Sequence, residues 1–422
     1  MKEKVLFFFS VFFLSLLMAP SVRSQLVWQT ESSAGFTPNE GMTSAVVNGK
    51  IYVVGGARDT VHFNTLQVFD PVANSWSTPV TTGTFTTRYG ATSAVVNGKI
   101  YVLGGEDSSS NLVNTLEVFD PSSNTWSAPV TMGTFTPRAF LTSAVVNDKI
   151  YVFGGMDSVN SAANIFADNI LEVFDPSTNA WSTPITTGVF TPREGPTSAV
   201  LDGKIYVIAG LLEADWQSNI VEVYDPSDST WSTPTTFGIL TPRCFGTSDV
   251  VDGKIYVIGG GGFHGETIPI DMFDTSTNNW SIPATTGTYT QRALLTSAVV
   301  DGSIYTIGGV GDSAILNTNE ALMFEAESVA GNLPQPTFLT IRPNPITDHA
   351  IISFNLSEPA DVSVEIHDEL GRLVSTLANE EMPPGPHQLT WQPDMVAAGC
   401  YVCILKSVRL NIMERCKLAL MR

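Results

Sequence analysis

Along much of the chain, apolar and polar positions alternate with a period of two through short segments, and the segments themselves recur. Near residue 100 the order is Ser93-Ala94-Val95-Val96, Asn97-Gly98, Ile100-Tyr101-Val102-Leu103, Leu116-Glu117-Val118-Phe119, then Asp120-Pro121-Ser122-Ser123-Asn124 before Trp126. This predicts four short strands. Asn-Gly is a two-residue hairpin turn, because both residues accept a positive φ. Asp-Pro turns the chain between the third and fourth strands, with a preset φ at Pro and local bonding by Asp or Asn side chains. The phrase that opens each unit ends at Gly56, Gly105, Gly155, Gly210, Gly260 and Gly309, in steps of 49, 50, 55, 50 and 49 residues. A constant period near fifty means stacked or circular repeats.

Composition within the unit ranks its strands. Ser, Thr and Ala recur in the first (Thr92, Ser93, Ala94), as a crowded axis requires, so that strand is expected innermost. Pro follows the Trp of the fourth strand (Pro79, Pro129, Pro184, Pro234, Pro283) and cannot donate to a ladder, which places that strand at the outer edge. The double Gly, the aromatic of Val-Phe-Asp-Pro and the Trp of Asn-Thr-Trp-Ser resemble the kelch repeat. The resemblance implies an all-β fold, a six-bladed kelch-type β-propeller over residues 25–326. Five units carry their Trp (Trp76, Trp126, Trp181, Trp231, Trp280), whereas the sixth ends at Leu322-Met323-Phe324 without one. The strand around Trp28 is therefore expected to complete the last blade.

Residues 1–24 have a short charged start and an apolar run from Val5 to Met18, which reads as a cleavable secretory signal. No second apolar run approaches membrane-spanning length. Residues 327–337 read as a linker. Residues 338–422 are expected to form a small immunoglobulin-like β-sandwich, with strands at Ile351–Leu356, Val362–His367, Gln388–Trp391 and Tyr401–Leu405. Its Pro343-Asn344-Pro345, Asp368-Glu369-Leu370-Gly371-Arg372, Gly385-Pro386-His387, Trp391, Gly399-Cys400-Tyr401 and Lys417 resemble the C-terminal sorting domain of the type IX (Por) secretion system. That resemblance implies contact with the secretion machinery, and a protein released from a Gram-negative bacterium or held on its outer surface. Cys400, Cys403 and the Arg415-Cys416-Lys417 ending depart from the family's pattern. A sandwich that only docks on a partner is the alternative.

The chain's net charge is -20, and without residues 1–24 it holds 18 basic and 40 acidic residues. There is no basic stripe for nucleic acid, and anionic membrane is disfavoured for the same reason. Cys244 stands alone in the repeats. Cys400 and Cys403 lie three apart on a strand, hence on opposite faces, and read as small apolar fillers, with a pairing through Cys416 as the other reading.

The repeats sort their cations. Lys50, Lys99, Lys149, Lys204 and Lys254 sit between first and second strands, and Arg58, Arg88, Arg138, Arg193, Arg243 and Arg292 sit in connections on the opposite face. All but Arg58 of these arginines precede the innermost strand, which places them around the channel mouth, with Asn39 in the first unit. At about 10 Å separation each neighbouring pair would repel by roughly 0.4–1.7 kcal/mol, so something must balance them. One reading has each guanidinium bonding backbone carbonyls, helped by Glu40 and Glu194. The other is an anion-selective pocket, since guanidinium pairs with carboxylate through two donors, and some kelch propellers, by resemblance, use an arginine here to hold acidic peptides or sugars. Trp216, Phe166, Phe263 and His264, on the variable loops of the same face, are candidates to stack on a ligand or to pack their own loops. Acidic residues there, among them Asp59, Glu106, Asp107 and Asp157, would form a rim outside a basic centre.

These residues point to an exported, monomeric binding module for an acidic glycan or a carboxylate-bearing protein segment. The alternatives are a metal-free carbohydrate epimerase or mutarotase, with Glu194 beside Arg193 as its acid or base, and a structural surface protein. No cofactor or metal is implied. His62 and His264, the only histidines of the repeats, fall in no copper motif.

Overall fold

A computed structural model describes residues 24–157, 169–212, 216–261, 268, 270–312 and 314–326, and 339–420 apart from 343, 345, 347, 357–358, 369–371, 394–395, 408 and 410–411. The expected signal and linker fall outside the described residues, save Ser24 of the signal. The chain forms two compact units, residues 23–325 and a second containing residues 326–422. The described residues are all β, and none of them forms a helix long and apolar enough to cross a membrane.

The first unit is a β-propeller. Thr92–Val96, Lys99–Leu103, Leu116–Asp120 and Thr125–Ser127 form one antiparallel sheet in that spatial order, and four further sheets repeat it. The turns behave as their residues require: Asn97 and Gly98 take φ of 52° and 72°, and Asn124 takes 52°. A sixth sheet orders Thr296–Val300, Ser303–Ile307, Asn319–Ala326, then Ser24–Thr30, with Thr285–Thr286 at its edge. The N-terminal strand thus lies beside the last strand of the unit. The innermost strands of the six sheets touch in a closed cycle.

Packing lies between sheets rather than within one central core. Ala94, Val96 and Val118 of one sheet meet Ile150, Val152 and Phe174 of the next, each large side chain contributing about 1.5–3 kcal/mol by burial. The segment leaving a fourth strand crosses to the neighbouring sheet and pairs in parallel with its outer strand, as Met132 does with Ala180 and Thr187 with Thr230. That contact satisfies part of the exposed edge. The same segment stacks an aromatic ring on the neighbour's Trp: Phe85 on Trp126 at 4.2 Å, Phe135 on Trp181 at 4.6 Å, Tyr289 on Trp28 at 4.5 Å.

The second unit has two antiparallel sheets over one core. Thr340–Arg342, Ala350–Leu356 and Gly385–Trp391 form the first, and Leu373–Met382, Ala360–Asp368, Gly399–Ser407 and Ile412–Leu420 the second. Ile352, Phe354 and Trp391 meet Val364, Ile366 and Leu405 between them. Leu373–Met382 and Ile412–Leu420 extend the expected set of strands. The former bends through two register shifts and is mostly exposed, so its sequence carries no clean alternation.

Candidate functional site

The arginines are not at the surface. Arg88, Arg138, Arg193, Arg243 and Arg292 are 0–3 % exposed, and each turns inward to a carboxylate on the third strand of its own sheet. The pairs are Arg88 with Glu117 (2.7 Å), Arg138 with Glu172, Arg193 with Glu222 (2.5 Å), Arg243 with Asp271 and Arg292 with Glu320 (2.6 Å). Carbonyl oxygens accept the remaining bonds, as Thr191 O (3.1 Å) and Val207 O (3.0 Å) do from Arg193. The carboxylate also accepts from the connection that brings its arginine: Glu222 takes the backbone N–H of Thr191 and its hydroxyl at 2.7 Å. Burial lowers the pKa of Arg88, Arg193 and Arg243, while the paired carboxylate acts in the opposite direction.

The first sheet replaces both charges at once. Asn39 donates to Gly55 O at 2.7 Å, and Gln67, in place of the glutamate, accepts from Thr37 N–H. Both are buried. The expected basic ring with anion-binding capacity is therefore corrected: the arginines and Asn39 hold each sheet to its incoming connection. Their carbonyls also join neighbouring sheets, since Gly56 donates to Arg88 O, Gly105 to Arg138 O, and so on round to Gly309, which donates to Asn39 O at 2.8 Å.

What lies at the channel mouth is a ring of backbone. Gly90 donates to Gly41 O, Phe140 to Gly90 O, Gly195 to Phe140 O, Phe245 to Gly195 O, Leu294 to Phe245 O, and Gly41 to Leu294 O, all at 2.7–2.9 Å. All six residues have φ between 53° and 67°. Phe140, Phe245 and Leu294 hold this left-handed conformation without the freedom of glycine, a strain that persists only where the surroundings enforce it. Below the ring, Thr and Ser hydroxyls of adjacent inner strands form a second closed cycle, from Thr43 with Ser93 (2.7 Å) round to Thr296 with Ser44 (2.7 Å). Asp249 adds a carboxylate to it, standing where the other inner strands carry Ala45, Ala94, Ala144, Ala199 and Ala298. Ser297 donates to its carboxylate, which burial pushes up to about 6.

The residues just before the ring positions are Glu40, Tyr89, Ala139, Glu194, Cys244 and Ala293, of which Ala139 and Cys244 are fully buried. They bridge to Ala57, Glu106, Met156, Leu211, Gly261 and Val310 respectively. Three carboxylates thereby gather about one phenol. Burial raises the Tyr89 pKa, and Glu40, Glu106 and Glu194 each add to it. Burial likewise raises Glu40 and Glu106, helped by Asp59 and Asp107 respectively, with His62 opposing at Glu106. His62 stacks on Tyr89 at 5.4 Å and donates through Nδ1 to Asp107 O. Phe140 meets Tyr89 edge-on at 5.2 Å and Phe245 at 5.3 Å. The centre is acidic and aromatic, the reverse of the expected order.

Glu194 is buried and acts on the Cys244 thiol, which burial pushes up to about 12, whereas the Arg193 guanidinium bonds Glu222. The expected pairing of Glu194 with Arg193 is not assembled. Trp216 begins a two-residue strand paired with Leu211–Leu212. Phe166, Phe263 and His264 lie outside the described residues. No group of three or more His, Cys, Asp or Glu among the described residues is placed to hold a metal ion. On the opposite face, every lysine of the repeats pairs with the aspartate of the third-to-fourth turn, from Lys50 with Asp70 at 2.9 Å to Lys254 with Asp274 at 3.7 Å.

The sequence matches the family model of the KLHDC2/KLHL20/DRC7 Kelch-repeats domain over residues 41–260, and the Kelch motif over residues 242–286. The chain belongs to the kelch-repeat family. No curated protein matches it. Kelch domains mediate protein interactions, and this kelch propeller has one face closed by ion pairs and another built of connections around an acidic, aromatic centre.

Proposed function

We propose that the chain is an exported protein-binding module that engages its partner with the face around the channel mouth, and that residues 338–422 deliver it through the secretion machinery to the cell surface or medium. The observation that carries the binding face is the contrast between the two ends of the propeller. At one end the lysines are neutralised by aspartates within the repeat. At the other, irregular connections stand on a rigid scaffold, the usual position of recognition surfaces. Export rests on the apolar leader and the sorting-domain markers in the sequence.

A photo-crosslinking residue at Asp107 on the mouth face, against one at Ser123 on the opposite face, tests the reading in cells that make the protein. A discrete adduct from position 107 alone is expected. Adducts from 123 alone would move the binding surface to the other end.

A further inference from the structure

The mouth carries a chemical preference of its own. Among the described residues, Arg58 is the one propeller cation outside the paired sets, because the other arginines are buried with carboxylates and the lysines are paired on the far face. His62, which stacks on Tyr89, is the basic group that acts on Glu106, and no lysine or arginine pairs with Glu40 or Glu106 among the described residues.

Glu106 is the decisive residue. It is only 7 % exposed, yet its carboxylate has no hydrogen bond or ion pair among the described residues. Its backbone is fixed by a two-way pairing with Tyr89, N–H to O at 2.8 and 3.0 Å, so its direction is set by the sheet-like bridge rather than by a flexible loop. Its carboxylate oxygens keep some contact with solvent, since they are not among the fully buried polar atoms without a partner, and a largely desolvated carboxylate without a hydrogen bond gains from an incoming cation. The second ingredient is the ring set. Tyr89 lies over Gly41, with its ring where a Cβ would stand, and Phe140 lies over Gly90 in the same way. Glycine at these ring positions is what lets the aromatic side chains lie across the axis. Carboxylates beside aromatic faces attract ammonium and guanidinium groups through charge and ring quadrupole together.

We infer that the channel mouth is a recognition site for a basic side chain of a partner protein, its ammonium or guanidinium held by Glu106 and Glu40 against the rings of Tyr89 and Phe140. The inference rests on the proposed use of this face for protein binding and names the chemistry of the partner.

The test is titration of the full chain with acetyl-tetralysine amide, acetyl-tetraarginine amide and acetyl-tetraglutamate amide, followed by calorimetry and by the Tyr89 ring resonances. The basic peptides are expected to bind and to shift Tyr89, and the acidic one to do neither. Glu40→Gln/Glu106→Gln should weaken the basic peptides at least fivefold without lowering the melting temperature, since both changes keep size and remove unpartnered charge. Asp361→Asn/Glu380→Gln, which removes two exposed charges from the other unit, should leave affinity unchanged. Failure of the basic peptides to bind would overturn the inference, as would equal weakening by the two double variants, which would show attraction to bulk negative charge. A crosslinked adduct that persists at position 107 while the peptides fail would sink the basic-side-chain inference alone. Loss of the adduct would remove the binding face itself.

Discussion

If the buried pairs hold the sheets together, breaking one should be costly and removing both charges should restore most of the loss. Arg193→Asn strands Glu222, 3 % exposed, with only the N–H and hydroxyl of Thr191 as donors. Removing one partner of a buried pair costs about 3–5 kcal/mol. The contact of the guanidinium over Phe190, 4.7 Å from the ring centre, adds about 0.5–2 kcal/mol. The first sheet shows the remedy, for Asn39 and Gln67 fill the same places without charge. Arg193→Asn/Glu222→Gln should therefore lose only about 1–2 kcal/mol, the share of packing that the shorter side chain gives up. At roughly 2 cal/mol/K per residue, a unit of about 300 residues shifts by about 1.5 °C per kcal/mol. Thermal unfolding followed by tryptophan fluorescence should place the single variant about 5–10 °C below the parent and the double variant about 2–3 °C below. A single variant melting within about 1 °C of the parent, or a double variant melting no higher than the single, would refute the structural role.

Other outcomes follow from other positions. Asp249 is held protonated to a higher pH in the folded chain, so the folded state binds the extra proton between about pH 4 and pH 6, and stability falls as pH rises through that window. Asp249→Ala, which matches the other inner strands, should abolish about 3 kcal/mol of that pH dependence and melt higher than the parent at pH 7.5 but not at pH 4. Gly41→Ala sets a Cβ 2.3 Å from the Tyr89 ring at φ +60°. It should lower the melting temperature, through about 1–2 kcal/mol of left-handed strain, and abolish the Tyr89 response to tetralysine; an unchanged response would mean that the ring moves freely. Cys403 and Cys416 are register partners on adjacent strands, and their thiols interact. Diamide, accepting two electrons and two protons, should join them and reduce the mass by about 2 Da, and recovery of both thiols as alkylated free cysteines after diamide would exclude the pairing.

The hairpins are legible because their signals are local: Asn97-Gly98 fixes a turn, and the strands beside it inherit their register. The destination of the arginines is not local. Arg88 and Glu117 stand 29 residues apart, and Glu117, in Leu-Glu-Val-Phe, reads as the polar member of a half-exposed strand. That third strand is buried at four of its five residues, Glu117 among them, so no alternation marks a solvent face. The signal that would have joined the pair was present as a joint change, with Asn39 and Gln67 replacing both charges in one repeat. Tyr89 escaped for the same reason, and Glu106 was expected on the rim rather than beside it, because only the bridge between two connections brings the two together. Asp249 needed no geometry, being the one acidic residue at a position otherwise filled by alanine.

Finally, the N-terminal strand sits in the last sheet, with Glu31 donating to Asn319 O and Leu26 registered against Thr285. Its first residues leave the ribosome long before their partners exist. Closing a loop of that length costs about 5 kcal/mol of chain entropy, and no local contact can offset it early. The circle can be completed only after residue 326 has been made, so the propeller stays an open, incomplete arc throughout its own synthesis. Removing the strand by a cut after Thr30 would leave the other five sheets intact and open one seam, turning a closed ring into a structure that unravels from a single edge.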